Sequence, residues 1–320
     1  MQEKAILKIS LPTPFPVGDV NVFLLKGEKL TLVDVGPKTK EAWEALTTQL
    51  AMFGYTPDDI EQVVVTHHHP DHVGLLDWFH EDLEIIGHSY NRRWLYRTDA
   101  FMEEYAQFYL QLFVECGIPN KWLSHFEKMK RTLDYSCQRP LTSIVKEGES
   151  VPFLPGWTVL ETPGHAQSQI GLFHEEKRWL IGGDHVLATI SSNPLLEPPE
   201  VSGLPRPKPQ LQYNESLQKL LQYPIDVVYS GHGPNFTQVH ALIKRRLERQ
   251  HERAMQVKKL LLERPMTAFD VCQQLFPAVY EKQLTLTISE TVGQLDYLVH
   301  NGEIQAHRND DGVFVYEVVR

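Results

Sequence analysis

"VVVTHHHPDHVG", residues 63–74, runs three valines into Thr66 and then crowds four histidines and an aspartate into six positions. The apolar run reads as a buried strand spanning Glu61 to Thr66, with the hexad His67-His68-His69-Pro70-Asp71-His72 at its C-terminal end. In extended backbone alternate side chains share a face, so His67 and His69 point the same way and His68 points elsewhere. Two imidazoles then meet one ion. Asp71 and His72 fall where the chain turns into a helix expected over Val73 to Phe79, where they can face a second ion, and Gly74 leaves room for the turn. Imidazole and carboxylate suit zinc, with iron or manganese as substitutes.

Spacing alone is a weak warrant, because a histidine-rich loop can simply be solvated. Three later residues strengthen it. His165 in TPGHA, Asp184 in GGDHV and His232 in SGHGP each follow a predicted strand beside glycine. Catalytic residues collect at such strand ends.

Around these positions the chain alternates strands and helices. Asn21–Lys26 and Leu30–Val35 flank Gly27-Glu28-Lys29 as a hairpin, and Thr39 to Phe53 spaces Trp43, Leu46, Leu50 and Phe53 as a helix ending before Gly54. Residues 91–146 form a helical insertion rich in aromatic residues, read either as ordinary core or as a lid over the site. Strands follow at Thr158–Glu161, Ser168–His174, Trp179–Gly182 and Ile225–Ser230, with a proline-rich loop from Asn193 to Pro209. Residues 241–262 read as a connecting helix carrying seven Lys or Arg against two Glu. Capping-box patterns at Thr267-x-x-Asp270 and Thr287-x-x-Glu290 start two more helices, the second stopping at Asn301-Gly302, and a hairpin turns at Asp310-Asp311-Gly312. Three helices and a hairpin outline a winged helix-turn-helix. The expected division is therefore 1–240 and 241–320.

The formal charge of −10 opposes unspecific attraction to nucleic acid or an anionic membrane. The N-terminal MQEKAILKIS has no secretory pattern, no later run is long enough to span a bilayer, and three scattered cysteines read as free thiols, so a cytoplasmic protein is expected.

The residues quoted resemble the metallo-β-lactamase superfamily, whose hallmark is T-H-x-H-x-D-H followed by later His, Asp and His motifs. The resemblance covers about residues 5 to 240 and implies an α/β fold, a four-layer αββα sandwich. It also implies two zinc ions. Carried over, His67, His69 and His165 hold the first, Asp71, His72 and His232 the second, and Asp184 bridges them, the complete set of the glyoxalase II-like branch. Asp34, in LVDVG, matches a position that orients the metal loop, although capping the turn to Thr39 would explain it as well. True zinc β-lactamases usually place cysteine where Asp184 stands, and the 47 residues between Asp184 and His232 are too few for the added domain of β-CASP nucleases. The C-terminal outline also departs from glyoxalase II and resembles the β-lactamase-like protein 2 group.

Two dications about 3.5 to 4 Å apart lower the pKa of a shared water to about 7, so the expected reaction is attack by metal-bound hydroxide on a small ester, thioester or lactone. Asp71 and Asp184 serve this chemistry, and His185 is a candidate proton donor. The competing expectation is an endoribonuclease on single-stranded RNA, guided by Arg245, Arg246 and Arg249. A metabolite-binding regulator with a DNA-binding module ranks third. The near-neutral charge of 241–320 favours packing or a homodimer as the use of that module.

Overall fold

The computed structural model describes residues 6–319, so the first half of the N-terminal stretch MQEKAILKIS lies outside the described residues. The first sheet runs in chain order through β1 (Ile6–Leu11), β2 (Val20–Lys26), β3 (Leu30–Val33), β4 (Gln62–Val65), β5 (Glu84–Gly87) and β6 (Ser143–Ile144). Its first three strands are antiparallel and the rest parallel. The second sheet contains β7 (Trp157–Glu161), β8 (Ile170–His174), β9 (Trp179–Gly183) and β10 (Val227–Ser230), in the order β10-β9-β8-β7.

Strand alternation decides how these sheets stack. On β2, Phe23 and Leu25 face an apolar layer shared with Val159, Ile170, Leu172 and Ile181 of the second sheet. Val22 and Leu24 point the opposite way, toward Ala42, Leu46 and Leu50 of α1 (Lys40–Met52). The outer face of the second sheet puts Leu160, Leu180 and Val228 against Tyr213 and Leu217 of α6 (Pro209–Leu220). Helix, sheet, sheet and helix are thus the four layers.

The short helix expected over Val73 to Phe79 starts earlier. Pro70 sits in the first turn of α2 (Pro70–Val73), where a missing N–H costs nothing, and a 3₁₀ turn follows from Gly74 to Trp78. Residues 91–146 contain α3 (Arg92–Leu95), α4 (Asp99–Glu115) and α5 (Leu123–Arg131). Trp94, Phe101, Tyr105, Tyr109, Phe113 and Phe126 are buried in the same cluster as α1, so most rings of the insertion are core.

Beyond lie α7 (Val239–Glu263), α8 (Ala268–Leu275), α9 (Leu284–His300) and a three-stranded antiparallel sheet of β11 (Met266–Thr267), β12 (Ile304–Arg308) and β13 (Phe314–Val318). Thr267 and Asp270 form the expected capping box. Thr287 does not: it lies one turn inside α9, and its hydroxyl donates back to the carbonyls of Gln283 and Leu284. A hydroxyl inside a helix has no free N–H to cap, which is why the second pattern misleads. Helix α9 buries Leu284, Ile288, Val292 and Leu295 in the cluster that holds the insertion. The Arg206 guanidinium, in the proline-rich loop, grips Asp296 at 2.7 and 2.9 Å. No helix among the described residues is long and apolar enough to cross a membrane.

Candidate metal centre

The strand ends of both sheets supply the site. Asp34 follows β3, the hexad follows β4, His165 lies between β7 and β8, Asp184 follows β9 and His232 follows β10. Glycine permits the closest approach: a Cβ on Gly231 would fall 2.1 Å from Asp184 Oδ1.

Three imidazoles converge on one side. His67 Nε2 and His165 Nε2 each lie 3.0 Å from His69 Nδ1. On the other side His232 Nε2 stands 3.2 Å from Asp71 Oδ2, and His72 Nε2 stands 3.9 Å from the same oxygen. Asp184 faces both groups, with Oδ1 3.5 Å from His72 Nε2 and Oδ2 3.3 Å from His232 Nε2 and 3.7 Å from His165 Nε2. His67, His69 and His165 lie close enough to share an ion, as do His67, His72 and Asp184, and Asp71, His72 and His232.

Hydrogen bonds on the far ring nitrogens fix which lone pairs face inward. His72 Nδ1 donates to Asp34 Oδ2 at 2.8 Å, His165 Nδ1 to the Asn193 carbonyl at 3.0 Å and His232 Nδ1 to the Asp19 carbonyl at 2.8 Å. Thr66 Oγ1 donates to Asp34 Oδ2, so it accepts from His67 Nδ1 at 3.0 Å. Each Nε2 is then left as an acceptor aimed at the cluster. Asp34 also accepts from the Thr66 amide and holds φ at 61°. Its carboxylate therefore orients the loop.

The buried atoms His72 Nε2, Asp184 Oδ1 and His232 Nε2 have no hydrogen-bond partner. Buried polar atoms left without partners are costly, and a cation among them would satisfy all three. Burial and the neighbouring His72 and His69 hold His67 well below the usual histidine range, in the neutral form a metal needs. Burial works against a charge on His232, yet Asp184 and Asp71 outweigh it and push its pKa up to about 10, so these carboxylates favour a positive charge at Nε2, a proton or a cation in its place. For Asp184 burial is likewise outweighed, by His232 and His72, so its carboxyl is held well below the usual range. The residues present fit divalent cations.

His68 points away, stacking on Trp94 at 4.1 Å and hydrogen-bonding Ser168 Oγ at 2.8 Å. His185 lies outside the ligand groups. Its ring is 1% exposed and packs edge-on to Tyr213, and burial and nearby positive groups lower its pKa to about 3. Ser168 and Glu197, which stands 3.7 Å from His68, were not signalled by the sequence. Asp19 and Asn193 act on the ligands through backbone carbonyls, which no residue type advertises.

Fold and ligand cluster together define a metal-dependent hydrolase. The chain belongs to the metallo-beta-lactamase superfamily, whose profile matches residues 15–232, and a metallo-beta-lactamase-like C-terminal domain matches residues 255–319. It is 47% identical to the probable metallo-hydrolase YqjP of Bacillus subtilis, across 98% of each chain. It is 28% identical to a beta-lactamase-like protein 2 homolog of Caenorhabditis elegans, over 83% of this chain and 73% of that one. A crystal structure of a metallo-beta-lactamase family protein from Thermus thermophilus superposes with a TM-score of 0.82 at 27% identity, covering 98% of this chain and 99% of the other.

Proposed function

We propose that the protein is a dinuclear hydrolase of a small ester, thioester or lactone. His67, His69 and His165 would hold one ion, Asp71, His72 and His232 the other, with Asp184 between them. Zinc is the metal the donor set favours, and iron or manganese would also be accepted. The observation that carries this reading is Asp184, whose Oδ2 lies between His165 of one group and His232 of the other while its Oδ1 faces His72. Bound there, the ions would supply a water acidified to a pKa of about 7 and a Lewis acid for the carbonyl oxygen.

The chain's own residues orient the ligands. Asp34 and Thr66 lock the ligand rings, and Trp94, stacked on His68, fixes the side chain between two of them. Asp71, 7% exposed and facing His232, would serve as a ligand of the second ion. His185 would have to leave its packing on Tyr213 to act. Residues 241–320 read as a winged helix on the order α7, α8, α9 and the β12–β13 hairpin. Its buried α9 argues for packing on the catalytic part over reading DNA. The test is a matched assay of metal-loaded protein on thioesters, lactones and single-stranded RNA, with a chelated control. Turnover of thioester or lactone that the chelator removes is expected, and metal-dependent cleavage of RNA alone would overturn the substrate class.

A further inference from the structure

Between α7 and the loop that follows Asp184 lies a cavity of about 530 Å³ whose wall is rich in guanidinium groups. Arg245, Arg246, Arg249 and Arg253 reach it from successive turns of α7, as residues spaced three and four apart on one helix must. One carboxylate opposes them, Glu290 of α9, and it is held by Arg253 at 3.1 Å. Arg245 and Arg249 are exposed and have no ion-pair partner among the described residues. Arg246 is the decisive member. Only 7% exposed, it donates through Nη2 to the carbonyls of Leu187 and Ile190, while its Nε and Nη1 are buried without a hydrogen-bond partner. The Tyr213 hydroxyl stands within hydrogen-bonding reach of the same guanidinium. A buried guanidinium whose donors are only partly met is costly unless an anion arrives.

The wall of the cavity adjoins the candidate metal centre. Asn193, on its wall, gives its carbonyl to His165, and Ser192 Oγ donates to the Asp184 carbonyl. Thr189, also on the wall, borders Gly233, the residue after His232. We propose that this cavity seats a phosphate-bearing part of the substrate whose ester or thioester carbonyl lies at the metal centre. The inference rests on the hydrolase reading and narrows it to phosphorylated small molecules. Guanidinium forks match phosphate oxygens in pairs, which a simple apolar acyl pocket would not require. The pocket has room for a compact group and is walled by α9 and the 188–194 loop, so a single bound moiety suits it better than a length of RNA backbone.

Calorimetric titration with inorganic phosphate tests the site without turnover. The wild type, the metal-site variant Asp184→Ala and the double variant Arg245→Ala/Arg249→Ala are compared. Arg246 is spared because it also holds the loop carbonyls. Saturable binding is expected for the first two and binding weaker by about tenfold or more for the third, as loss of charge-assisted hydrogen bonds predicts. In the metal-loaded enzyme the double variant should raise KM for a phosphorylated thioester by a similar factor and leave an uncharged acetate ester unaffected. Equal phosphate binding by wild type and double variant overturns the pocket, even if both esters are hydrolysed. Arginine-dependent phosphate binding with neither ester hydrolysed supports the pocket and sinks the hydrolase reading instead. Tight binding of a single-stranded oligoribonucleotide, dependent on Arg245 and Arg249 and unaffected by phosphate, would overturn the small-molecule proposal.

Discussion

Asp34 carries three hydrogen bonds that no ligand can replace: the Thr66 amide, the Thr66 hydroxyl and His72 Nδ1 all end on its carboxylate. Asp34→Ala is expected to weaken metal affinity by about 10- to 100-fold, read by competition with a chromophoric chelator. Glu197 makes a second prediction. Burial pushes its carboxyl up to about 8 from the ordinary 4.5, so the folded state favours the neutral form. Its stabilising effect is full below the unfolded pKa and is lost as pH rises through the folded one, at about 1.4 kcal/mol per unit between them. Denaturant unfolding of the metal-loaded protein from about pH 5 to 9 should show the wild type losing stability relative to Glu197→Gln; parallel curves would contradict the assignment. The seven candidate ligands were legible because four are packed into one hexad after a strand and three stand beside glycine at later strand ends. Asp34 was legible as a position, but sequence left its two uses open until the left-handed backbone and the bond to His72 decided between them. Glu197 was invisible, because its partner His68 is 129 residues away in the chain.

At the scale of elements, periodicity and caps served well where the chain obeys them. Helix α1 begins after Thr39, whose hydroxyl accepts from the Ala42 amide, and ends before Gly54 as its spacing requires. The strand expected to reach Val35 stops at Val33 because Asp34 turns left-handed to reach the site. Function shortens the strand. Gly74 shows why the turn after the hexad needs glycine: a Cβ there would meet Lys38 N at 2.1 Å and the Tyr135 carbonyl at 2.2 Å. Its φ of −58° is open to any residue, so the constraint is space and not backbone strain. Gly74→Ala should destabilise the protein by about 1–3 kcal/mol in urea unfolding, the cost of overpacking, and no loss would show that the loops simply part. Gly231→Ala would displace Asp184 and is expected to lower bound metal more than it lowers stability.

Across the whole molecule, one apolar cluster joins the first sheet, the insertion and the helices beyond residue 250. The sequence suggested a C-terminal module because its cap, turn and hairpin signals are local. The contacts that tie it down are not: Asp296 holds Arg206 across 90 residues, and the Phe269 amide donates to the Cys116 carbonyl. Asp296→Ala strands a guanidinium that is partly shielded from water, with an expected loss of about 2 kcal/mol after discounting for its remaining exposure. Should that variant unfold in a separate early transition, the module would be held more loosely than the shared cluster implies. The central claim, that two ions sit between these two sheets, is tested most directly by metal analysis of protein saturated with zinc and freed of excess. About two equivalents per wild-type chain are expected, with no more than about one, and no turnover, in Asp184→Ala. A wild type that retains no metal, or an Asp184→Ala variant that keeps both ions and full activity, would contradict it.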